Sequence, residues 1–147
     1  MTLSYPDGAT PLDPDTLAGL IPSLTTQGEL DEFEARNILG VPWPQIAERL
    51  DQLCGNVRYQ VEHAVFAWDE CAARFHHEMV LIHPFPNGNG RHARLAADLL
   101  LIRHGQPRFT WGGRTLGEHG DARRTYIDAL RAADQGEIAP LLSFVRS

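Results

Sequence analysis

His83-Pro84-Phe85-Pro86-Asn87-Gly88-Asn89-Gly90-Arg91-His92-Ala93-Arg94 joins two apolar, helix-periodic runs, one from about Asp69 to Ile82 and one from about Arg91 to His104. The joint itself cannot be helical throughout. Pro84 disfavours a helical conformation at the residue before it and Pro86 has no amide to donate, so the first helix is expected to end close to His83. Gly88 and Gly90 admit positive φ, a geometry that lets successive N–H groups point into one concavity. That concavity falls at the start of the second helix, where unpaired N–H groups and the macrodipole favour an anion. Arg91 and Arg94, three apart and so on one helical face, add two guanidiniums within reach of phosphate oxygens. The stretch reads as a phosphate cradle with a histidine at its rim. It is not a Walker loop, because no Lys-Ser or Lys-Thr follows the glycines.

With 147 residues, 43% of them hydrophobic and 22% charged, the chain fits one globular domain able to bury a core. A formal net charge of −6 argues against sequence-independent binding to nucleic acid or to an anionic membrane, either of which needs a basic surface. No charged-then-apolar leader and no long apolar run is seen, and a cytoplasmic location without membrane insertion is expected. Cys54 and Cys71 lack C-x-x-C spacing and are expected to be two buried thiols.

In chain order, residues 1–26 read as an extended arm followed by a short helix from Pro14 to Ile21, and 27–147 as the single helical domain. Glu29, Asp31, Glu32 and Glu34 open a helix from about Gly28 to Leu39, suiting its positive end. After Gly40 to Pro44, the recurrence of Ile46, Leu50, Leu53, Val57, Val61 and Val65 at spacings of three and four predicts a long helix that Gly55-Asn56 breaks in two. Cys71, Phe75, Met79 and Ile82 place one face of the next helix in the core. Leu95, Leu99 and Ile102, joined by Ala96, Leu100 and Leu101, make the helix after the signature apolar most of the way round and so the expected buried centre of the bundle. Gly105 and Pro107 then stop it. Arg108 to Gly113 is β-like at most, with Trp111 packed on the core rather than set against a nucleotide base. Helices at about 121–134 and 138–145 close the bundle. His76 and His77, adjacent and so facing different ways, read as surface or packing residues rather than as zinc ligands with His83 and His92.

The run from His83 to Arg91 resembles the signature of the Fic family, His-Pro-Phe-x-(Asp/Glu)-Gly-Asn-Gly-Arg, at every fixed position but one, and Arg94 falls where many members carry a second arginine. The flanks, Gly28-Glu29-Leu30 and Arg123 to Pro140, further resemble the small bacterial subgroup called mobile mystery protein B. The resemblance implies an all-α helical bundle with the active-site loop between two central helices. It implies a protein adenylyltransferase that moves AMP from ATP to a Ser, Thr or Tyr hydroxyl of a target protein. His83 is then the general base, Gly88, Asn89 and Gly90 the anion hole, Arg91 and Arg94 the phosphate ligands, with Arg91 also stabilising charge in the reaction, and Phe85 an apolar anchor that holds the loop on the core. These roles agree with the chemistry: a neutral imidazole with a pKa near ~6.5 is a competent base at neutral pH, and fixed amides and arginines stabilise phosphoryl charge.

Asn87 is the exception, standing where most members carry the Asp or Glu that holds Mg²⁺; an amide oxygen without charge makes it a weak metal ligand. Many Fic proteins also carry an inhibitory helix marked (Ser/Thr)-x-x-x-Glu-(Gly/Asn). Thr25 to Glu29 keeps the spacing, but Leu30 follows, and a separate antitoxin-like partner is expected over an internal inhibitor. The family's target-docking β-hairpin needs about ten residues, which Gly40 to Pro44 cannot supply. Two rival expectations keep the fold: transfer of another phosphate-containing group, or a catalytically silent nucleotide- or partner-binding module.

Overall fold

The computed structural model describes residues 40–85, 88–113 and 120–147, so the expectations for the arm, the two N-terminal helices, the Thr25 to Glu29 motif and Asn87 lie outside the described residues. Five α-helices are described: α1 (Ile46–Glu62), α2 (Trp68–Ile82), α3 (Asn89–Arg103), α4 (Gly120–Asp134) and α5 (Ala139–Val145). No strand occurs among the described residues. The all-α expectation holds for them.

The chain passes from Gly40 through a 3-10 turn, Trp43–Gln45, straight into α1, and residues 40–44 form no hairpin. Gly55 does not break α1, which runs unbroken for 17 residues. One glycine costs a helix interior about 1 kcal/mol, less than the packing of Ile46, Leu50, Leu53 and Val57 on the core returns. The helix ends instead at Ala64 (φ 48°), where Val65 N–H reaches back to the Gln60 carbonyl at 3.0 Å. Val65 thus lies past the helix end and is exposed. Gly105 does stop α3 as expected: with φ 70°, it lets Gln106 N–H bond the Leu101 carbonyl at 2.9 Å.

α2, not α3, is the centre of the bundle. It packs against α1, α3 and α5 and buries Cys71, Ala72, Ala73, His76, His77, Met79, Val80 and Ile82, a set that covers both the expected face and the one beside it. α3 buries a narrower row, Asn89, Ala93, Ala97 and Leu101. Alanines at a spacing of four let its backbone approach α2 closely, and the large side chains of Leu95 (59% exposed), Leu99 (55%) and Ile102 (54%) fall on the opposite side. Apolar content all round a helix therefore misled here; the small residues marked the buried face.

α4 and α5 pack against each other, burying Ala129, Leu130, Ala133, Leu141, Phe144 and Val145. Beyond α3, residues 106–110 form neither helix nor strand. Thr110 and Trp111 donate their N–H groups to the Val145 carbonyl (2.9 and 3.1 Å), and Trp111 is buried as expected, edge-on to Phe109. Arg146 closes the molecule. It forks onto both oxygens of Asp69, its Nε donating to Oδ2 at 2.8 Å and its Nη2 to Oδ1. It also donates to the Pro107 and Arg108 carbonyls and lies over the Phe109 ring at 4.7 Å.

Cys71 is buried and Cys54 exposed; the expectation of two buried thiols fails for Cys54 because it sits on the outer face of α1. Burial pushes the Cys71 thiol up. No helix among the described residues is long and apolar enough to cross a membrane.

Candidate active site

α2 ends at His83, which adopts the left-handed conformation (φ 55°, ψ 56°). A non-glycine residue there is strained, and Pro84 removes the helical alternative. The kink swings the imidazole back over its own helix, where Nδ1 lies 3.3 Å from the Val80 carbonyl. A carbonyl only accepts, so Nδ1 carries the proton and the lone pair that makes imidazole a base resides on Nε2. The ring is half-buried and Nε2 is shielded from solvent.

Across the turn, Asn89 is 2% exposed and binds the backbone of Phe85 from both sides: Phe85 N–H donates to Oδ1 at 2.9 Å and Nδ2 donates to the Phe85 carbonyl at 2.6 Å. This single amide stands in for backbone partners that the proline-rich turn cannot offer. Gly88 then caps α3 with φ 73°, and the first ladder bond runs from His92 N–H to the Gly88 carbonyl at 2.9 Å. Gly88 brings no side chain of its own to cap this helix start, and the N–H groups of a helix's first turn favour an anion.

Gly88 is the only one of the two signature glycines at positive φ; Gly90 lies within the first helical turn. Its need for glycine is therefore not left-handedness. A Cβ there would stand 3.8 Å from the Tyr126 hydroxyl, while one at Gly88 would stand 3.5 Å from Nη2 of Arg91. The exposed Arg91 thus folds its guanidinium over the helix start, and Arg94, half-buried, holds its own at 6.0 Å from the centre of the Tyr126 ring. Gly88, Asn89, Gly90, Arg91 and Arg94 are accordingly gathered on the first two turns of α3. Asp98, a conceivable ion partner for Arg94, is used elsewhere: it accepts from Phe109 N–H and Trp111 Nε1–H, each at 3.1 Å.

The pattern of the Fic/DOC family matches residues 17–101, more than half of the chain, with His83 to Arg94 inside the match. The chain belongs to the Fic/DOC family. Among curated relatives, it is 35% identical over 98 residues to protein adenylyltransferase fic-1 of Caenorhabditis briggsae, a match covering 65% of this chain and 18% of that protein. It is 39% identical over 74 residues to protein adenylyltransferase Fic of Aedes aegypti (50% of this chain, 13% of that protein). It is 37% identical over 76 residues to fic-1 of Caenorhabditis elegans (52% and 14%). The chain therefore spans less than a fifth of the length of these relatives.

One feature departs from the Fic expectation. Phe85 does not anchor the loop in the core: its ring is 44% exposed and rests edge-on against His92 at 4.7 Å. The Asn89 amide does the anchoring instead, through the Phe85 backbone. His76 and His77 are buried, as packing residues. His76 is hydrogen-bonded through Nε2 to the Tyr126 hydroxyl at 2.9 Å, and His77 Nε2 lies 2.7 Å from Asp134 Oδ1. Nothing in the local sequence pattern pairs Tyr126 with a histidine 50 positions away.

Proposed function

We propose that this Fic chain transfers AMP from ATP to a hydroxyl of a protein. The observation that carries the reading is the His83 turn joined to a helix start that opens on Gly88 and bears Asn89, Gly90, Arg91 and Arg94, in a family whose curated relatives are named protein adenylyltransferases. The N–H groups of the first turn of α3 and the guanidiniums of Arg91 and Arg94 hold the phosphates of ATP. His83 Nε2 accepts the proton of a Ser, Thr or Tyr hydroxyl as its oxygen bonds to the α-phosphorus. Pyrophosphate leaves as the bond to the β-phosphate oxygen breaks. The Val80 carbonyl keeps the base in the tautomer this step needs.

Position 87 would offer Mg²⁺ an amide oxygen rather than a carboxylate, so Asn87 would be a weak ligand for a metal that the phosphates of ATP would also hold. ATP as donor fits a cytoplasmic setting, and a separate antitoxin-like protein regulates the transfer.

A catalytically silent module is the second reading, favoured by the amide at position 87 and by the missing hairpin at residues 40–44. α-Labelled ATP incubated with the chain and a cell lysate separates the two. A labelled protein band that is lost with His83→Ala, at a cost of at least a hundredfold in rate, supports transfer. Nucleotide binding with no band, unchanged by His83→Ala, supports the module. Label carried over from γ-labelled ATP instead would mean that phosphate, not AMP, is the group delivered.

A further inference from the structure

Beneath the phosphate cradle lies a contact system that the signature does not contain. Tyr126, midway along α4, touches every other helix around the site. Its hydroxyl is hydrogen-bonded at 2.9 Å to Nε2 of His76, a fully buried residue of α2. The same hydroxyl stands 3.8 Å from where a Gly90 side chain would begin, directly under the first turn of α3. The face of its ring lies toward the Arg94 guanidinium, 6.0 Å from it, within the range of cation–π attraction. Phe144 of α5 backs the ring at 5.4 Å, and Trp111 packs on His76 at 4.6 Å.

These distances describe a support rather than a ligand. A long, flexible arginine loses much of its grip on phosphate if it must first be ordered, and an aromatic face below the guanidinium limits where it goes. The ring in turn is held at its far end by a histidine that cannot move, because His76 is enclosed by the core. We propose that Tyr126 is a positioning residue for nucleotide binding. Clamped by His76, it sets the height of the α3 first turn at Gly90 and the direction of Arg94, and so links the C-terminal helix pair to the phosphate cradle. The proposal rests on the nucleotide-transfer function argued above.

The test is a double-mutant cycle on ATP affinity, measured by calorimetry with the full chain. Tyr126→Phe keeps the ring's volume and removes only the hydroxyl held by His76. The dissociation constant for ATP is expected to rise about fivefold, the equivalent of one hydrogen bond of about 1 kcal/mol. In an Arg94→Ala background the same substitution is expected to change affinity by less than twofold, since the group it positions is gone. A purely structural tyrosine would lower the melting temperature and leave affinity alone, or would weaken binding equally in both backgrounds; either result overturns the proposal. Failure of the unsubstituted chain to bind ATP overturns the functional reading first and this inference with it. Binding that Tyr126→Phe leaves unchanged overturns this inference alone.

Discussion

Asn89 shows how one side chain can make a tight turn possible. Two prolines and a left-handed histidine deprive the segment between α2 and α3 of ordinary backbone pairing, and the Asn89 amide satisfies both the N–H and the C=O of Phe85. That role was half legible from the sequence. An Asn between two glycines suits a turn, but its reach back to Phe85 depends on the chain doubling over, which only the fold supplies. Asn89→Ala is expected to leave two shielded backbone groups without partners and to cost about 1–3 kcal/mol, seen as a lower melting temperature, together with loss of ATP binding. Asn89→Asp keeps the acceptor for Phe85 N–H but places a negative charge in the cradle. It is therefore expected to melt between the two and to bind ATP no better than the alanine variant. A full-stability Asn89→Ala protein would show that the Phe85 backbone has other support. The left-handed His83 was not legible, because Pro84 announces that the helix ends there without fixing the conformation in which it ends.

Helix limits were the most readable property of the chain. The runs expected at about 69–82, 91–104, 121–134 and 138–145 fall within two residues of α2, α3, α4 and α5, since proline, glycine and apolar spacing act locally. Helix orientation was less readable. In α3 the row of Asn89, Ala93, Ala97 and Leu101 is buried while Leu95, Leu99 and Ile102 are exposed, a choice made by close approach to α2 and not by hydrophobicity. α1 makes the same point about glycine. In the sequence Gly55-Asn56 suggests a break, yet Gly55 sits in a continuous helix with nothing within 4 Å of the position its Cβ would occupy. Gly55→Ala is accordingly expected to raise stability by about 0.5–1 kcal/mol by restricting the unfolded chain and favouring the helix. The gain appears as a higher urea midpoint with an unchanged slope, and a loss of stability would mean that this stretch of α1 is not a regular helix.

At the scale of the whole molecule, the contacts that no local pattern announces are the ones that tie distant segments together. His76 to Tyr126, His77 to Asp134 and Asp69 to Arg146 span 50, 57 and 77 positions. The last of these joins the start of α2 to the chain's final residues and makes a pH-dependent contribution whose sign can be worked out. The Arg146 guanidinium holds the Asp69 carboxyl below its ordinary value, first by hydrogen bonding and then by charge, with burial opposing. A carboxylate depressed on folding contributes stability that is fully present above its unfolded pKa, near ~3.9, and is lost as the pH falls through the lower folded value. Arg146 stays charged throughout, its own pKa raised by the same hydrogen bonds. Asp69→Asn removes the charge and keeps the shape. Because the Asp69 side chain is 43% exposed, the pair is worth about 1 kcal/mol, the upper end for a solvated ion pair. Urea midpoints measured from pH 7 to pH 2 are expected to show the unsubstituted chain ahead by that amount down to about pH 5, with the two curves converging below pH 4. A gap that persists undiminished at pH 2 would mean that Asp69 stabilises the fold by packing and not by its charge, and curves that coincide at pH 7 would mean that the fork to Arg146 contributes nothing in solution.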